Sequence, residues 1–242
     1  MRCWWLGLLF TACVPSTSVR LTHPDVDSAG RAVVEAAVQA HGGLARLQAV
    51  RTVQMHYREW WSWPFSALRQ SPWASNPVEG TLILDVRGGG TTFVLDGRAY
   101  VHDGRRVTPA ASWNAEFALP RTHYLVLLPF KFLDKGAHHR LLGRRTVRGR
   151  PHDEVLIWFD AGVGASPKDR YWALFDAETH VLHQVSLTVS SYHPLAFGDV
   201  VYEDHVRVGG LLMATTIRAF YPFPGGRLPL HVSHLDGLRL VH

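Results

Sequence analysis

The 242-residue sequence predicts a mainly β, α+β protein built on a meander of antiparallel strands. The segment from Val155 to Val189 contains three runs rich in aromatic and β-branched residues, and two turn signals separate them. Turn-forming pairs such as Asp96-Gly97 and Asp103-Gly104 recur at short intervals upstream. Helical segments do not alternate with these strands, which excludes a chain of βαβ units.

The three central runs differ in their pattern of apolar residues. Val155–Phe159 and Tyr171–Phe175 are almost continuously apolar, which is typical of strands covered on both faces or lining an apolar cavity. The third run alternates at period two, which indicates a half-buried strand. Its predicted inner face comprises Val181, His183, Val185, Leu187 and Val189. A curved sheet around an apolar interior would use such strands.

The first 12 residues have the features of a signal peptide. Met1-Arg2 gives a positively charged start, and Cys3–Phe10 forms an apolar run. This run is too short to cross a bilayer, which takes about 20 residues.

The end of the predicted signal peptide and the residue after it read Leu9-Phe10-Thr11-Ala12-Cys13, which resembles the lipobox of bacterial lipoproteins. Phe10 departs from the aliphatic residue that this motif prefers. The resemblance implies that Cys13 is lipidated, and residues 13–27 then form a lipidated N-terminus and a flexible tether. Two alternatives are an ordinary signal peptide cleaved near Ala12 and a buried N-terminal strand.

The residue after the cysteine bears on the location of the protein. Val14, and not an aspartate, follows Cys13. By resemblance to the sorting rule of some Gram-negative bacteria, this favours the cell envelope, at the periplasmic face of the outer membrane.

The cysteine count limits how the rest of the chain is stabilised. Cys3 and Cys13 are the only cysteines, so residues 28–242 contain no disulfide and no cysteine metal site. A domain of this size can be held by its apolar core alone. Because no internal repeat or low-complexity segment is visible, we expect residues 28–242 to form a single domain.

A helix is predicted over Ala29–Ala40, with Ser28 as its N-cap and Gly42-Gly43 as its end. Residues 44–47 are expected to add another turn. The apolar stripe of the helix comprises Val33, Val34, Ala37, Val38 and His41.

Strands are predicted on both sides of a second helical region. The predicted strands before it are residues 51–61, 80–87, 91–95, 98–102 and 105–107. The predicted strands after the central meander are residues 199–208, 211–221 and 228–241. Between them, Ser112 is expected to cap a helix that Pro120 breaks, and a second short helix follows over Arg121–Leu128. The second helix is too apolar to face water, so we expect it to cover the sheet.

Several stretches resemble an uncharacterised family of bacterial exported proteins in the LolA-like superfamily of lipoprotein carriers. They are His41-Gly42-Gly43, Leu128-Pro129-Phe130-Lys131, residues 164–172 and Asp176-Ala177-Glu178-Thr179. The resemblance covers most of residues 28–240 and rests on structural turns, not on catalytic signatures. It implies a strongly curved, incompletely closed antiparallel β-barrel with an N-terminal helix and a short helical plug. It also implies an apolar cavity, which binds acyl chains in the carriers of that superfamily.

The excess of apolar strand faces predicts where such a cavity lies. A monomer rarely leaves a large apolar face bare, so these faces need an apolar partner under the helical cover. The side chains expected to border one apolar space are Leu125, Leu128, Ile157, Phe159, Trp172 and Leu174.

An aromatic cluster lies at the end of the first long strand, and it has two interpretations. Its members are Trp60, Trp61, Trp63 and Phe65. They either fill the core or form the rim of the cavity, where they would touch a lipid or a membrane interface. The long loop over residues 66–77 follows, and loops of that length are usually functional or mobile.

Catalytic and metal-binding patterns are weak. Histidines three apart in a strand, such as His180 with His183 and His231 with His234, point to opposite faces, and adjacent His138 and His139 also diverge. No zinc spacing and no Gly-x-Ser-x-Gly motif is present. We therefore predict no metal, no cofactor and no catalytic residue.

The charge of the chain is also open to two interpretations. The net charge is +5, and five arginines lie between Arg140 and Arg150. This run either offers a basic stripe to anionic lipid headgroups or forms an ordinary solvated face of the sheet. Nucleic acid is not expected as a partner.

These observations predict a cell-envelope lipoprotein that binds or carries an apolar ligand, a lipid or an acylated protein, in a half-barrel cavity. The membrane is a partner through the N-terminal lipid anchor. Two alternatives stay open: a structural or interaction lipoprotein with a filled core, and an envelope hydrolase.

Overall fold

The computed structural model describes residues 28–68, 71–110, 112–161, 163, 168–190 and 196–242, without the side chains of residues 113 and 114. The predicted signal peptide, the predicted lipidation site and the tether lie outside these residues. Among the described residues, no helix has the length and apolar character needed to cross a membrane.

Twelve strands form one antiparallel sheet, curved and not closed, as predicted. Along the sheet the order is β5-β4-β3-β2-β1-β12-β11-β10-β9-β8-β7-β6. The strands are β1 (Thr52–Trp61), β2 (Val78–Asp85), β3 (Thr91–Leu95), β4 (Arg98–His102), β5 (Val107–Thr108), β6 (Ala137–Val147), β7 (Arg150–Phe159), β8 (Arg170–Asp176), β9 (Leu182–Thr188), β10 (Phe197–Val208), β11 (Leu211–Phe223) and β12 (Gly226–Val241). Most match the predicted strands, although β7 begins five residues before the apolar run at Val155.

The first and last strands pair in the middle of the sheet. The pairing runs from Thr52 opposite Val241 to Trp61 opposite His231, with one irregularity between Gln54 and His56. Two meanders, β1–β5 and β6–β12, are thus joined by the pairing of β1 with β12.

The helices lie on one face of this sheet and build a single apolar core with it. They are α1 (Ser28–Ala40), α2 (Leu44–Ala49), α3 (Trp113–Val126) and a 3₁₀ turn over Phe130–Leu133. The buried stripe of α1, represented by Val34 and Val38, packs in the same core cluster as Val53 of β1 and Phe132 of the 3₁₀ turn. We call the face of the sheet that carries this core the inner face.

Helix α1 approaches strand β6 closely because it has a glycine at the contact. A Cβ atom on Gly30 would lie 2.7 Å from the backbone nitrogen of Leu141 and 2.9 Å from that of Arg140. These separations are shorter than real Cβ contacts, so only glycine allows the helix to lie against the strand. The helix propensity lost at this position is the cost of that packing.

His41 fastens the end of α1 to two strands. Its Nδ1–H donates to the carbonyl of Leu212 at 2.8 Å, and its Nε2 accepts from the Leu182 N–H at 3.2 Å. The next residue, Gly42, has φ +111° and lies against the backbone of Gly210. Burial lowers the pKa of His41 to about 4, so the ring stays neutral in this arrangement. The His41-Gly42-Gly43 motif is therefore a structural device of the fold.

The second helical region differs from the prediction. Instead of two short helices broken at Pro120, α3 is continuous from Trp113 to Val126 with Pro120 inside it. Ser112 caps it as predicted, since its hydroxyl accepts from the Ala115 N–H at 3.2 Å. Pro120 removes one helical hydrogen bond, but packing of Leu119 in the core holds the helix together.

Strand β9 also differs from its predicted alternation. Leu182 is buried and His183 is only partly buried, whereas Val185 and Leu187 are buried as predicted. The cause is an irregularity in the pairing with β8, where Phe175 lies opposite Leu182 and the adjacent Leu174 lies opposite Gln184. This bulge reverses the direction of the side chains that precede it in β9.

Candidate functional site

Four of the six residues predicted to border one apolar space lie on the inner side of the sheet. Leu128, Ile157 and Phe159 belong to the core cluster, and Leu125 packs against it. Leu128 follows α3 and is not part of a helix.

The other two predicted residues, Trp172 and Leu174, lie on the opposite face, which corrects the predicted grouping. In the register of β7 with β8, Ile157 lies opposite Tyr171, whereas Trp172 lies opposite Leu156. Side chains alternate along a strand, so Trp172 and Leu174 point away from the core that Tyr171 enters. The apolar runs of β7 and β8 arise because both faces of these strands carry large side chains.

The space between α3 and strands β7 and β8 contains four aromatic rings. Tyr171 is the central ring, with ring-centroid distances of 5.4 Å to Tyr124, 5.9 Å to Phe132 and 6.0 Å to Phe159. These are the distances of favourable aromatic pairs. The Tyr202 hydroxyl adds a hydrogen bond to the Leu125 carbonyl at 3.2 Å. We call the rings of Tyr124, Phe132, Phe159 and Tyr171 the aromatic plug.

The N-terminal end of α3 adjoins an open groove of about 430 Å³. Its lining includes Trp73, Leu95, Tyr100 and Ser112. Trp73 packs against Tyr100 at a ring-centroid distance of 5.1 Å, so the long loop after β1 forms one wall.

The predicted aromatic rim is split between exposed and partly buried side chains. Trp63 is 80% exposed and Trp60 is 47% exposed, so neither fills the core. Trp61 stacks on His231 with centroids 4.6 Å apart, and Phe65 lies 6.4 Å from the ring of Tyr221. The placement of Trp60 and Trp63 favours the rim interpretation over the core interpretation.

Exposed apolar side chains gather around this rim. Of the ten large apolar side chains that are exposed among the described residues, six belong to two segments that meet at the end of β1 and at the β11–β12 hairpin. We call these six the apolar lip: Trp60, Trp63, Leu68, Tyr221, Phe223 and Leu228.

The hairpin that carries half of the lip projects beyond its neighbours. The pairing of β10 with β11 ends at Asp199 opposite Phe220, and the pairing of β1 with β12 ends at Trp61 opposite His231. Beyond these points, residues 221–230 continue as a two-stranded extension in the sheet ladder of the described residues. The segment after β1 supports it, because Ser62 N–H donates to the Leu230 carbonyl at 3.0 Å.

A buried carboxylate lies directly below the lip. Glu59 accepts hydrogen bonds from the Tyr57 hydroxyl and the Trp61 indole N–H, each at 2.9 Å, and Ser233 Oγ lies 3.4 Å away. Burial alone would raise the pKa of the Glu59 carboxyl, but nearby His231 and the hydrogen bonds outweigh burial and hold the pKa below its usual value. Glu59 is therefore a buried anion, and its placement requires these partners.

His231 is the basic side chain that lies against this carboxylate. Its Nδ1 lies 3.0 Å from Glu59 Oε1, which is ion-pair distance, although the atoms are not aligned as a hydrogen bond. The Nδ1 atom is buried, while the side chain as a whole is 19% exposed. The exposed part of the ring thus lies away from Glu59.

A second buried ion pair ties α3 to the start of β8. The Arg121 guanidinium donates to Asp169 Oδ2 at 3.3 Å, and the Asp169 side chain is fully buried. Asp169 Oδ1 accepts from the Ser190 N–H at 2.7 Å. Arg121 also lies over the Phe117 ring at 4.3 Å. This ion pair holds α3 against the sheet.

The arginine run of β6 and β7 is matched by carboxylates. Arg144 pairs with Asp153 at 3.2 Å and Arg145 with Glu154 at 3.4 Å, and both arginines are largely exposed. Arg150 adds an ion pair with Asp176 at 2.7 Å. These contacts favour the interpretation of a solvated face over that of a basic stripe for lipid headgroups.

The adjacent side chains of His138 and His139 diverge. The His139 ring is buried and bonds the Phe132 carbonyl through Nε2 at 2.7 Å, whereas His138 stacks on Trp158. Within the part of the chain that the structure describes, no three His, Cys, Asp or Glu side chains converge in a way that could hold a metal ion.

Sequence reasoning did not identify Glu59 and His231 as site residues, or Tyr221, Phe223 and Leu228 as part of the lip. The sequence did contain one signal for Glu59. This residue lies on the same face of β1 as Val53, Met55 and Tyr57, so the alternation of the strand places its carboxylate in the core. The lip residues on the hairpin alternate like an ordinary strand. Their exposure depends on where the neighbouring strands end.

The fold defined by this sheet, its helical cover and its open edges is LolA-like. A LolA superfamily protein from Nitrosomonas europaea is similar over 88% of this chain and 94% of that chain, with 12% sequence identity and a TM-score of 0.55. A DUF1329 family protein from Desulfovibrio piger is similar over 87% and 92% of the two chains, with 12% identity and a TM-score of 0.49. No protein-family model and no curated protein matches the sequence. The LolA-like resemblance is confirmed at the level of the fold.

Proposed function

We propose that this chain is a cell-envelope lipoprotein that binds or carries an apolar ligand, a lipid or the acyl group of an acylated protein. The observation that carries the proposal is the apolar lip at one end of the half-barrel. Exposed apolar side chains that gather at one end of a monomer are a mark of binding sites, and tryptophan and tyrosine suit the boundary between lipid and water.

Aromatic contacts connect the lip with the inner face, whereas Trp60 lies on the outer face of β1. Phe65 contacts Tyr221 at the lip, and Trp61 and His231 follow in the same pair of strands. Farther inside, α3 and the aromatic plug cover the sheet. An acyl chain would lie along the lip and reach the inner face when α3 or the plug residues move aside. The ligand is expected to shift the population of such an opened state.

The envelope location rests on the N-terminal sequence. Lipidation at Cys13, in the segment before residue 28, would hold the domain at a membrane, where the lip meets its ligand. The predicted tether over residues 13–27 is long enough to let the domain turn its lip towards the lipid surface.

Binding is proposed in preference to hydrolysis because of the state of the polar groups near the lip. The carboxylate oxygens of Glu59 are occupied by Tyr57 and Trp61. Ser233 lies 3.0 Å from the Tyr57 hydroxyl and also faces Glu59, which gives its hydroxyl no histidine base within these contacts.

The aromatic plug favours a second candidate, a structural or interaction lipoprotein with a filled core. Tyr171 and its three ring neighbours occupy the space where the sequence predicted a cavity. In that case the lip would contact a protein, and the core would never open to an acyl chain.

One experiment separates the two candidates. The purified protein is analysed by native mass spectrometry before and after lipid extraction, and uptake of a fluorescent fatty acid is then titrated. Binding predicts a co-purified lipid or saturable uptake, weakened by Trp63→Ser together with Phe223→Ser. The matched control is Leu142→Ser together with Val206→Ser, which removes exposed apolar side chains outside the lip. Neither co-purified lipid nor uptake by the wild type would leave the structural candidate.

A further inference from the structure

The polar side chains next to the lip suggest which part of a ligand this end of the sheet recognises. His231 stands in β12 at the foot of the projecting hairpin, opposite Trp61 in β1 and Ala219 in β11. Trp61 covers one face of its ring, with an interplanar angle of 25°. Glu59 lies against the buried Nδ1 edge. The ring is thereby held on two sides, and the side chain as a whole keeps 19% of its surface exposed.

The charges within the two segments that form the lip favour an anion over a cation; Asp199 of β10, which lies opposite Phe220, accepts a hydrogen bond from the Ser186 hydroxyl. Residues 60–68 and 219–235 contain no aspartate or glutamate and one arginine, Arg227. Glu59 is the nearest carboxylate in β1, but it is buried and its oxygens receive hydrogen bonds from Tyr57 and Trp61. A cationic headgroup would therefore find no exposed carboxylate in these two segments.

Protonated His231 can serve two negative groups at once. An imidazolium has two N–H donors. In that state the Nδ1–H edge would face Glu59, whose Oε1 lies 3.0 Å from Nδ1, and the N–H at Nε2 would be left to donate to a ligand. The buried carboxylate thus orients the ring and balances its charge, much as acidic partners orient functional histidines elsewhere.

We propose that His231 binds the anionic headgroup of an amphiphile, a carboxylate or a phosphate, while the acyl chain of the same molecule lies along the apolar lip. This inference rests on the proposed function and narrows it to amphiphiles with an anionic headgroup, for which a fatty acid and a lysophosphatidic acid serve as probes. Glu59 is a positioning residue in this site, because it acts on the ligand through His231.

The test compares ligands that share one acyl chain and differ in the headgroup. Binding of oleate, oleoyl lysophosphatidic acid and uncharged methyl oleate to the full-length protein is measured by isothermal titration calorimetry below the micellar concentrations. Wild type is expected to bind at least one of the anions about tenfold more tightly than the methyl ester. Comparison of the two anions shows whether the site prefers carboxylate or phosphate.

Two variants connect this preference to the proposed residues. His231→Gln is expected to remove the preference for the anion and to leave binding of methyl oleate within about twofold. Glu59→Gln, which keeps the side-chain shape, is expected to reduce the preference because the ring loses its counter-ion. His234→Gln is the matched control, since this histidine lies on the opposite face of the same strand and is expected to change neither affinity.

The possible outcomes are distinguishable. Equal binding of the ester and both anions by the wild type overturns the headgroup inference and leaves the proposed function intact. Binding of none of the three overturns both. A preference that survives in folded His231→Gln, or release of oleate from the methyl ester, also contradicts the inference, the latter because it would indicate catalysis.

Discussion

His41 is expected to make the stability of the fold sensitive to acid. Its neutral ring joins α1 to the Leu212 carbonyl and the Leu182 N–H. Burial lowers its pKa from 6.5 to about 4. Because the folded-state pKa lies below the unfolded-state pKa, the unfolded chain takes up the proton first as the pH falls. The contribution of neutral His41 is therefore complete above about pH 6.5 and is lost as the pH falls through about 4.

The size of the effect follows from the shift in pKa. A shift of this size corresponds to about 3 kcal/mol of unfolding free energy. His41→Phe cannot titrate, but it leaves two buried backbone groups without their ring partner. At about pH 7.5 we expect this variant to be less stable than the wild type by roughly 2–5 kcal/mol. At about pH 4.5 the wild type has lost most of its own advantage, so the difference should shrink by roughly 2–3 kcal/mol.

Urea unfolding of the wild type and His41→Phe at the two pH values measures how much their difference in unfolding free energy changes with pH. Other buried histidines with lowered pKa values, such as His123 and His139, are present in both proteins and cancel to first order. His56→Phe, at an exposed histidine, is the control and should show a small effect at both pH values. A difference between His41→Phe and the wild type that is the same at both pH values would refute the reasoning.

Three further predictions test other contacts. Gly30→Ala should destabilise the protein by about 1–3 kcal/mol in urea unfolding despite the better helix propensity of alanine, because the methyl group meets the backbone of β6. Gly198→Ala is the control, since a Cβ at Gly198 has ordinary space. A stabilised Gly30→Ala variant would contradict the packing argument. Arg121→Met should lower the free energy of unfolding by about 3–5 kcal/mol, because Asp169 stays buried without this partner. Arg144→Met, at an exposed ion pair, should lower it by about 1 kcal/mol or less. Equal losses from the two variants would show that burial of the pair is unimportant. Cys13→Ser should move the protein from the membrane fraction to the soluble fraction and abolish acylation detected by mass spectrometry, and unchanged membrane association with no acyl mass on the wild type would exclude the lipid anchor.

The strands and turns could be predicted because their signals are local. Asp96-Gly97 and Gly209-Gly210 adopt positive φ angles at turns between paired strands, as their residue types indicate. The end of α1 at Gly42-Gly43 follows from the same conformational preference. These features depend on a few consecutive residues, so a single sequence contains the information needed to place them.

The errors arose where contacts distant in sequence decide the outcome. Pro120 is tolerated inside α3 because the helix packs on the sheet, and the bulge before Val185 depends on the register with β8. The faces of Trp172 and Leu174 also depend on register, since both faces of β8 carry apolar residues. Apolar composition predicts burial in such a strand, but it gives no indication of which face meets the core.

The central position of β12 also constrains the order in which the molecule can be completed. Until residues 226–241 are available, the N-terminal and C-terminal meanders are separate sheets, each with an unpaired edge strand. The pairing of Thr52 with Val241 spans almost the entire described chain, so its loop-closure entropy is larger than that of the hairpins within each meander. A chain emerging from a ribosome or a translocation channel therefore cannot form the finished half-barrel until residues 226–241 have emerged, and the loss of β12 would divide the sheet between β1 and β11.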